Sequence, residues 1–137
     1  MSALVLDCSI AAAWCFEDEA SAATDALMER VRDEGALVPA LWHWEIANVL
    51  TSAVRRKRIS AGDAVARLTL LSALPIATDG DAVSRAWRET FLLAQAHALT
   101  AYDAAYLELA LRTGFDLASK DIDLLNAARA VGVKVVP

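Results

Sequence analysis

Four acidic residues in this sequence are spaced so that they could form one metal site: Asp7, Glu45, Asp103 and Asp121. Like charges that gather at one place repel each other, and protonation or a bound cation must relieve the repulsion. Carboxylate oxygens without a Cys or His cluster favour Mg²⁺, or alternatively Mn²⁺, over zinc. A metal held in this way suits phosphoryl chemistry, because it orients a phosphate oxygen and lowers the pKa of a bound water.

Each of the four acids also has a structural explanation that requires no metal. Asp7 and Asp121 could each cap the helix that follows them. Asp103 could be the third residue of a capping box opened by Thr100. Glu45 could compensate the helix dipole in a first turn. The metal-site prediction therefore depends on all four acids meeting at one place.

Asp63 provides a comparison within the same chain. The segments Ser60-Ala-Gly-Asp63 and Thr100-Ala-Tyr-Asp103 have the same capping-box pattern. Nothing else in the sequence associates Asp63 with chemistry. The local spacing around Asp103 is therefore not diagnostic of a metal ligand.

Short apolar stretches alternate with longer stretches that have helical spacing. This alternation predicts a three-layer α/β/α sandwich with a five-stranded, mainly parallel sheet, formed as a single domain over residues 1–137. It places two helices between the second and third strands and two between the third and fourth. One helical stripe consists of Val83, Trp87 and Phe91 at four-residue steps. The predicted strands are Ala3–Leu6, Ala36–Val38, Leu74–Ala77, Phe115–Ala118 and Val133–Val136.

This topology predicts where a ligand would bind. In open parallel sheets, ligands bind at the carboxyl ends of the strands. Asp7 ends the first predicted strand and Asp121 follows the fourth, while Glu45 and Asp103 lie near the starts of helices. We therefore expect all four acids at one edge of the sheet.

Composition narrows the class of protein. The net charge of −5 disfavours broad, non-specific binding of nucleic acid. No apolar run is long enough to span a membrane, and the first residues lack the basic start of a signal peptide. Cys8 and Cys15 form no CxxC pair, which suits a reducing cytoplasm. A soluble cytoplasmic location is therefore expected.

Five segments together resemble the PIN-domain family, specifically the VapC toxins of bacterial type II toxin–antitoxin modules. The resemblance extends over nearly the whole chain and depends on the order and spacing of the segments rather than on any one of them. The segments are LVLDCSI at 4–10, WEIANVL at 44–50, LTAYDAAYLELA at 99–110, LASKDIDL at 117–124 and ARAVGVKVV at 128–136.

The resemblance implies a role for each candidate site residue. The four acids named above would be the catalytic, metal-binding residues, and Asp123 is a rival to Asp121 as the fourth. Ser9 matches a hydroxyl position of the family that helps hold a metal-bound water or a phosphate of the substrate. One or two metal ions are both compatible with four acids.

The function implied is that of a Mg²⁺-dependent endoribonuclease toxin that hydrolyses phosphodiester bonds in structured RNA, such as a tRNA or ribosomal RNA loop. The resemblance also implies a homodimer, neutralised by a cognate VapB-like antitoxin in a toxin–antitoxin hetero-oligomer. The alternative is a PIN-like module that binds RNA or a protein without cutting. Dependence of RNA cleavage on metal and on Asp7 would distinguish the two.

Other residues admit alternative interpretations. The basic run Arg55–Arg58 could contact RNA or could simply favour a helix C-terminus. Trp42 and Trp44 could stack on bases or pack in the core. Cys8 is a poor candidate nucleophile, because the adjacent carboxylate disfavours its thiolate. Neither a GxGxxG nor a GxxxxGK[ST] motif is present.

Overall fold

A parallel sheet of five strands forms the centre of the fold. The computed structural model describes residues 3–136. The strands are ordered β3-β2-β1-β4-β5, and every neighbouring pair is parallel. The predicted fold class is confirmed, with a fully parallel sheet. The strands are β1 (Leu4–Leu6), β2 (Ala36–Val38), β3 (Ile76–Thr78), β4 (Asp116–Ala118) and β5 (Val135–Val136).

Helices cover both faces of the sheet and account for the apolar run in the central strand. All three residues of β1 are fully buried, as is typical of a parallel strand covered on both faces. No helix within residues 3–136 is long and apolar enough to cross a membrane. The helices are α1 (Cys8–Cys15), α2 (Ala22–Glu34), α3 (Leu41–Arg55), α4 (Ala61–Ser72), α5 (Ala82–Arg85), α6 (Glu89–His97), α7 (Ala101–Thr113) and α8 (Ile122–Ala130), with a 3₁₀ turn at Glu17–Glu19.

The segment between β3 and β4 corrects one prediction. It contains three helices instead of two, because the apolar stripe at 83, 87 and 91 does not form one continuous helix. The chain leaves α5 after Arg85 and starts α6 at Glu89. Val83, Trp87 and Phe91 are 70%, 89% and 56% exposed, so the stripe does not pack in the core. Helical spacing alone does not distinguish a buried face from an exposed one.

The limits of β2 are as predicted, and those of the other strands differ from the prediction by one or two residues. β3 was predicted at Leu74–Ala77 and begins two residues later at Ile76, directly after Pro75. Proline lacks the amide hydrogen that a strand must donate, so it marks the start of the strand. One predicted helix end is also confirmed: Gly114 ends α7 with a left-handed φ of 74°.

The strand order fixes the position of the topological switch point. From β1 the chain passes to β2 and β3 on one side, and β4 and β5 lie on the other. The crevice at the carboxyl ends of β1 and β4 is therefore the place where ligands bind in folds of this kind. Asp7 directly follows β1, and Ser119 directly follows β4.

Candidate active site

Asp7 is held at the switch point by contacts from β4, from the loop after β4 and from the first turn of α1. Its amide donates to the carbonyl of Ala118 (3.0 Å). Helix α1 starts at Cys8, so Asp7 occupies the N-cap position, but its side chain makes no capping hydrogen bond. Instead, Oδ2 accepts hydrogen bonds from Ser9 Oγ (2.9 Å) and Ser119 Oγ (2.6 Å). Capping therefore does not explain this carboxylate.

The carboxyl group of Asp7 is 5% exposed. Burial raises its pKa, and the hydrogen bonds from Ser119 and Ser9 oppose that rise. The charge of Asp121 adds to the rise. Asp7 is therefore a buried carboxylate whose ionised form is costly in the absence of a cation.

Ser119 connects Asp7 to Asp121 and was not identified from the sequence. Its buried hydroxyl donates to Asp7 Oδ2 and accepts from the amide of Asp121 (3.0 Å). Ser9 makes a parallel link, since its hydroxyl also accepts from the amide of Lys120 (2.9 Å). The sequence signals for Ser119 were its position at the end of a predicted strand and its place in the segment LASKDIDL at 117–124.

Asp121 caps helix α8, as one of its two interpretations predicted. Its Oδ1 accepts from the amides of Asp123 (3.0 Å) and Leu124 (3.2 Å). The same carboxylate also acts on the other acids, because its charge raises the pKa of both Asp7 and Asp103. Asp123 has a smaller effect on Asp103, and its side chain is exposed.

Glu45 lies in the second turn of α3, since the helix begins at Leu41. The first-turn dipole explanation for Glu45 is therefore wrong. The hydroxyl of Tyr106, a fully buried residue of α7, donates a hydrogen bond to Glu45 Oε1. Burial raises the pKa of Glu45, the Tyr106 hydrogen bond opposes this, and the charges of Asp7 and Asp103 raise it further.

Asp103 is the third residue of α7, and its amide donates to Thr100 Oγ1 (3.1 Å). Asp63 has the same relation to Ser60 in α4 (3.0 Å). Burial and the charges of Asp121 and Asp7 raise the pKa of Asp103 to about 6. The capping interaction is confirmed, and the neighbouring acids distinguish Asp103 from Asp63.

The four acids thus share one electrostatic environment at the carboxyl edge. Within residues 3–136, none of them forms an ion pair with Lys, Arg or His. In the same range, no three Asp, Glu, His or Cys side chains already surround a common point as ligands do. An all-oxygen donor set without a basic partner fits a hard divalent cation.

The structure also describes the remaining residues for which the sequence left alternative interpretations. Burial, together with the charges of Glu45 and Asp7, raises the pKa of Cys8 to about 12, so its thiol is not a nucleophile. Arg58, in the basic run, pairs with Asp18 (2.6 Å) and Glu19 (3.0 Å). Trp42 is buried and Trp44 is 71% exposed.

Comparison with known proteins identifies solved structures of similar fold. Two solved structures share the fold. PAE2754 from Pyrobaculum aerophilum aligns with a TM-score of 0.72 and 24% identity, over 98% of this chain and 91% of the other. VapC20 of Mycobacterium tuberculosis, described as a sarcin–ricin loop cleaving toxin, aligns with a TM-score of 0.59 and 19% identity, over 98% of this chain and 100% of the other. A search of curated proteins gave no match.

The family model of the PIN domain matches residues 4–130. The matched range contains all four acids and both serines at the switch point. This chain belongs to the PIN domain family.

Proposed function

We propose that this protein is a metal-dependent endoribonuclease, with Mg²⁺ as the cofactor and Mn²⁺ as an alternative. The observation that carries the proposal is the group of carboxylates at the switch point. Burial and mutual repulsion raise the pKa of Asp7, Glu45 and Asp103, and no basic residue between 3 and 136 pairs with them. The negative charge of such a group lowers the stability of the folded protein unless a cation neutralises it.

In this proposal Asp7, Glu45, Asp103 and Asp121 hold the metal. A bound divalent ion would polarise the scissile phosphate and make water a better nucleophile. Ser9 and Ser119 orient the carboxylate of Asp7 through Oδ2, and Tyr106 orients Glu45. Both capping amides of α8 donate to Oδ1 of Asp121, so Oδ2 would be the oxygen of this residue that holds the metal. The stronger effect of Asp121 on Asp103 favours it over Asp123 as the fourth acid.

Ser9 has a more specific role than the sequence implied. Its hydroxyl is engaged with Asp7 on one side and with the amide of Lys120 on the other. We therefore assign Ser9 to the positioning of Asp7. To contact a phosphate of the substrate, the hydroxyl of Ser9 would have to give up one of these two hydrogen bonds.

The substrate proposed is structured RNA, such as a tRNA or ribosomal RNA loop. The similarity in fold to VapC20, a sarcin–ricin loop cleaving toxin, supports this class of substrate. We propose on the same basis that the whole chain works as one cytoplasmic PIN domain, forms a homodimer, and is neutralised by a VapB-like antitoxin. The unpaired acids would attract a basic segment of such an antitoxin.

The proposal can be tested with a matched pair of variants. Purified wild-type protein should cleave total bacterial RNA at discrete sites when Mg²⁺ or Mn²⁺ is present and not when EDTA replaces it. D103A should lower cleavage by about 100-fold or more, as removal of an electrostatic contact in the transition state does. D63A alters the same position of an equivalent capping motif in α4 and should leave cleavage unchanged.

RNA binding without cleavage, under all metal conditions, would instead favour the non-catalytic binding module. Equal loss of activity in D103A and D63A would show that a general effect of replacing an acid in the first turn of a helix, rather than metal binding, explains the loss. Growth arrest on induced expression, relieved by D7A, would extend the result to a toxin.

A further inference from the structure

An apolar cavity of about 340 Å³ is lined in part by Tyr102, which directly precedes Asp103 in the chain. It lies among the first residues of α3 and α7 and the segment that contains α5 and the start of α6. Its lining includes Leu41, Val83, Phe91 and Tyr102 and, among the described residues, contains no charged side chain. The exposed fractions of Val83 and Tyr102 are 70% and 66%. Two residues of the exposed apolar stripe, Val83 and Phe91, thus line the cavity, and the third, Trp87, does not.

Two helices, α3 and α7, each carry a residue that lines the cavity and a residue of the acid group. In α3, Leu41 precedes Glu45 by four residues, and in α7, Tyr102 precedes Tyr106 by four. Residues at this spacing lie on the same face of a helix. Tyr106 contacts Glu45, so Leu41 and Tyr102 lie about one helical turn, roughly 5.4 Å, further out on the same faces. Tyr102 is also the chain neighbour of Asp103.

We propose that this cavity binds one unpaired base of the RNA substrate, stacked against Tyr102, next to the phosphate that is cut. The proposal rests on the proposed nuclease function and adds how the enzyme selects its substrate. A base bound one turn from Glu45 would place its own phosphate near Asp103. An exposed aromatic ring beside an apolar cavity provides the π-face and the water-free surface that a base requires.

Charge favours a base over phosphate contacts as the basis of recognition. The chain carries a net charge of −5, and the cavity lining contains no Lys or Arg among the described residues. Phosphate contacts on a mainly acidic surface contribute little affinity. Paired bases are held inside a helix, so an enzyme that binds one base in a cavity selects loops and bulges.

The test uses fluorescein-labelled hairpin RNA with a randomised loop and a blunt duplex of the same length, with Ca²⁺ in place of Mg²⁺ to prevent cleavage. Wild-type protein should bind the hairpin pool more tightly than the duplex. Y102A should weaken hairpin binding by about tenfold, as removal of one stacking ring does, and leave duplex binding unchanged. Y102F, which keeps the ring, should restore the preference. W87A is the control, because Trp87 is 89% exposed and does not line the cavity.

Three results would overturn the proposal. One is equal hairpin binding by wild type and Y102A. Another is a loss in Y102A that accompanies dissociation of a dimer in sedimentation of the same samples, which would make this face an interface between copies of the chain. The third is a wild type with no preference for loops.

Cleavage measured in parallel separates this inference from the proposed function. Loop binding through Tyr102 without cleavage in Mn²⁺ would contradict the nuclease assignment while supporting the base-binding cavity. Cleavage that is indifferent to Y102A would contradict the cavity alone.

Discussion

Two groups of acidic side chains in this protein differ in what balances their charge. In the first, Asp7, Glu45, Asp103 and Asp121 lie near the switch point and interact through their charges, without a basic partner in the described part of the chain. In the second, which we name the Arg112 cluster, Arg112 pairs with Asp79 (2.7 Å) and Glu108 (2.8 Å), with Asp81 at 3.9 Å. Each group includes an Asp that directly follows a strand, Asp7 after β1 and Asp79 after β3.

The pKa shifts of the two groups run in opposite directions. Hydrogen bonds from Arg112 lower the pKa of Asp79, and the acids raise the pKa of Arg112. Burial and neighbouring charges raise the pKa of Asp7, Glu45 and Asp103. The fold thus neutralises one acidic group internally and gives the other no basic partner within residues 3–136. Unbalanced charge of this kind is typical of functional sites.

Removal of the internal cation should produce the largest effect on stability. R112M keeps much of the side-chain volume but leaves Glu108 and Asp79 without their partner. Because both carboxylates are largely buried, we expect a loss of about 3 kcal/mol in the free energy of unfolding. Urea unfolding of wild type and R112M measures this difference.

The control is R32M, since Arg32 pairs with Glu29 on the surface and should contribute less than about 1 kcal/mol. A loss in R112M no larger than that of R32M would mean that Arg112 does not balance its cluster.

The hydrogen bond from Ser119 should have an intermediate effect on the unbalanced group. S119A removes the donor that is 2.6 Å from Asp7 Oδ2. Loss of such an orienting contact typically lowers metal affinity by about 10- to 100-fold. Competition between Mn²⁺ and a chelating dye measures the change, with S84A, whose hydroxyl contacts only a local carbonyl, as the control. Unchanged Mn²⁺ affinity in S119A would exclude the orienting role.

Neutralising one of the repelling acids should give the smallest effect, and it should be stabilising. The folded-state pKa of Asp103 is about 6, above the unfolded value of 3.8. Ionisation of Asp103 therefore lowers stability as the pH rises from about 4 through 6, and the loss persists above 6. In EDTA, D103N should be more stable than wild type by about 1 kcal/mol at pH 7.5, since solvent screens a half-buried carboxylate.

Thermal unfolding at pH 4.5 and 7.5 checks the sign of this effect. The gain in D103N should shrink at pH 4.5, where wild-type Asp103 is largely protonated. An equal gain at both pH values would point to a cause other than charge.

The sequence predicted those features that depend on local pattern. The strand ends placed Asp7 and Asp121 at one edge, and the capping pattern identified the amide contacts of Asp103. The contact between Tyr106 and Glu45 joins residues 61 positions apart, and that between Ser119 and Asp7 joins residues 112 apart. Such contacts depend on packing, which spacing along the chain does not encode.

The segment around Val83 illustrates the same limit for the fold. Its four-residue spacing predicted one helical stripe, yet the chain breaks between α5 and α6 and exposes the apolar side chains. A ligand or partner surface has the same composition as a core face, so only the structure distinguishes them.

The central claim, that the unbalanced acids bind a divalent cation, is tested most directly by calorimetric titration of Mn²⁺ into wild type, D103A and D63A at pH 7.5. We predict that wild type and D63A bind Mn²⁺ with the same affinity and that D103A binds it at least tenfold more weakly. Absence of binding in wild type, or equal affinity in wild type and D103A, would contradict the account.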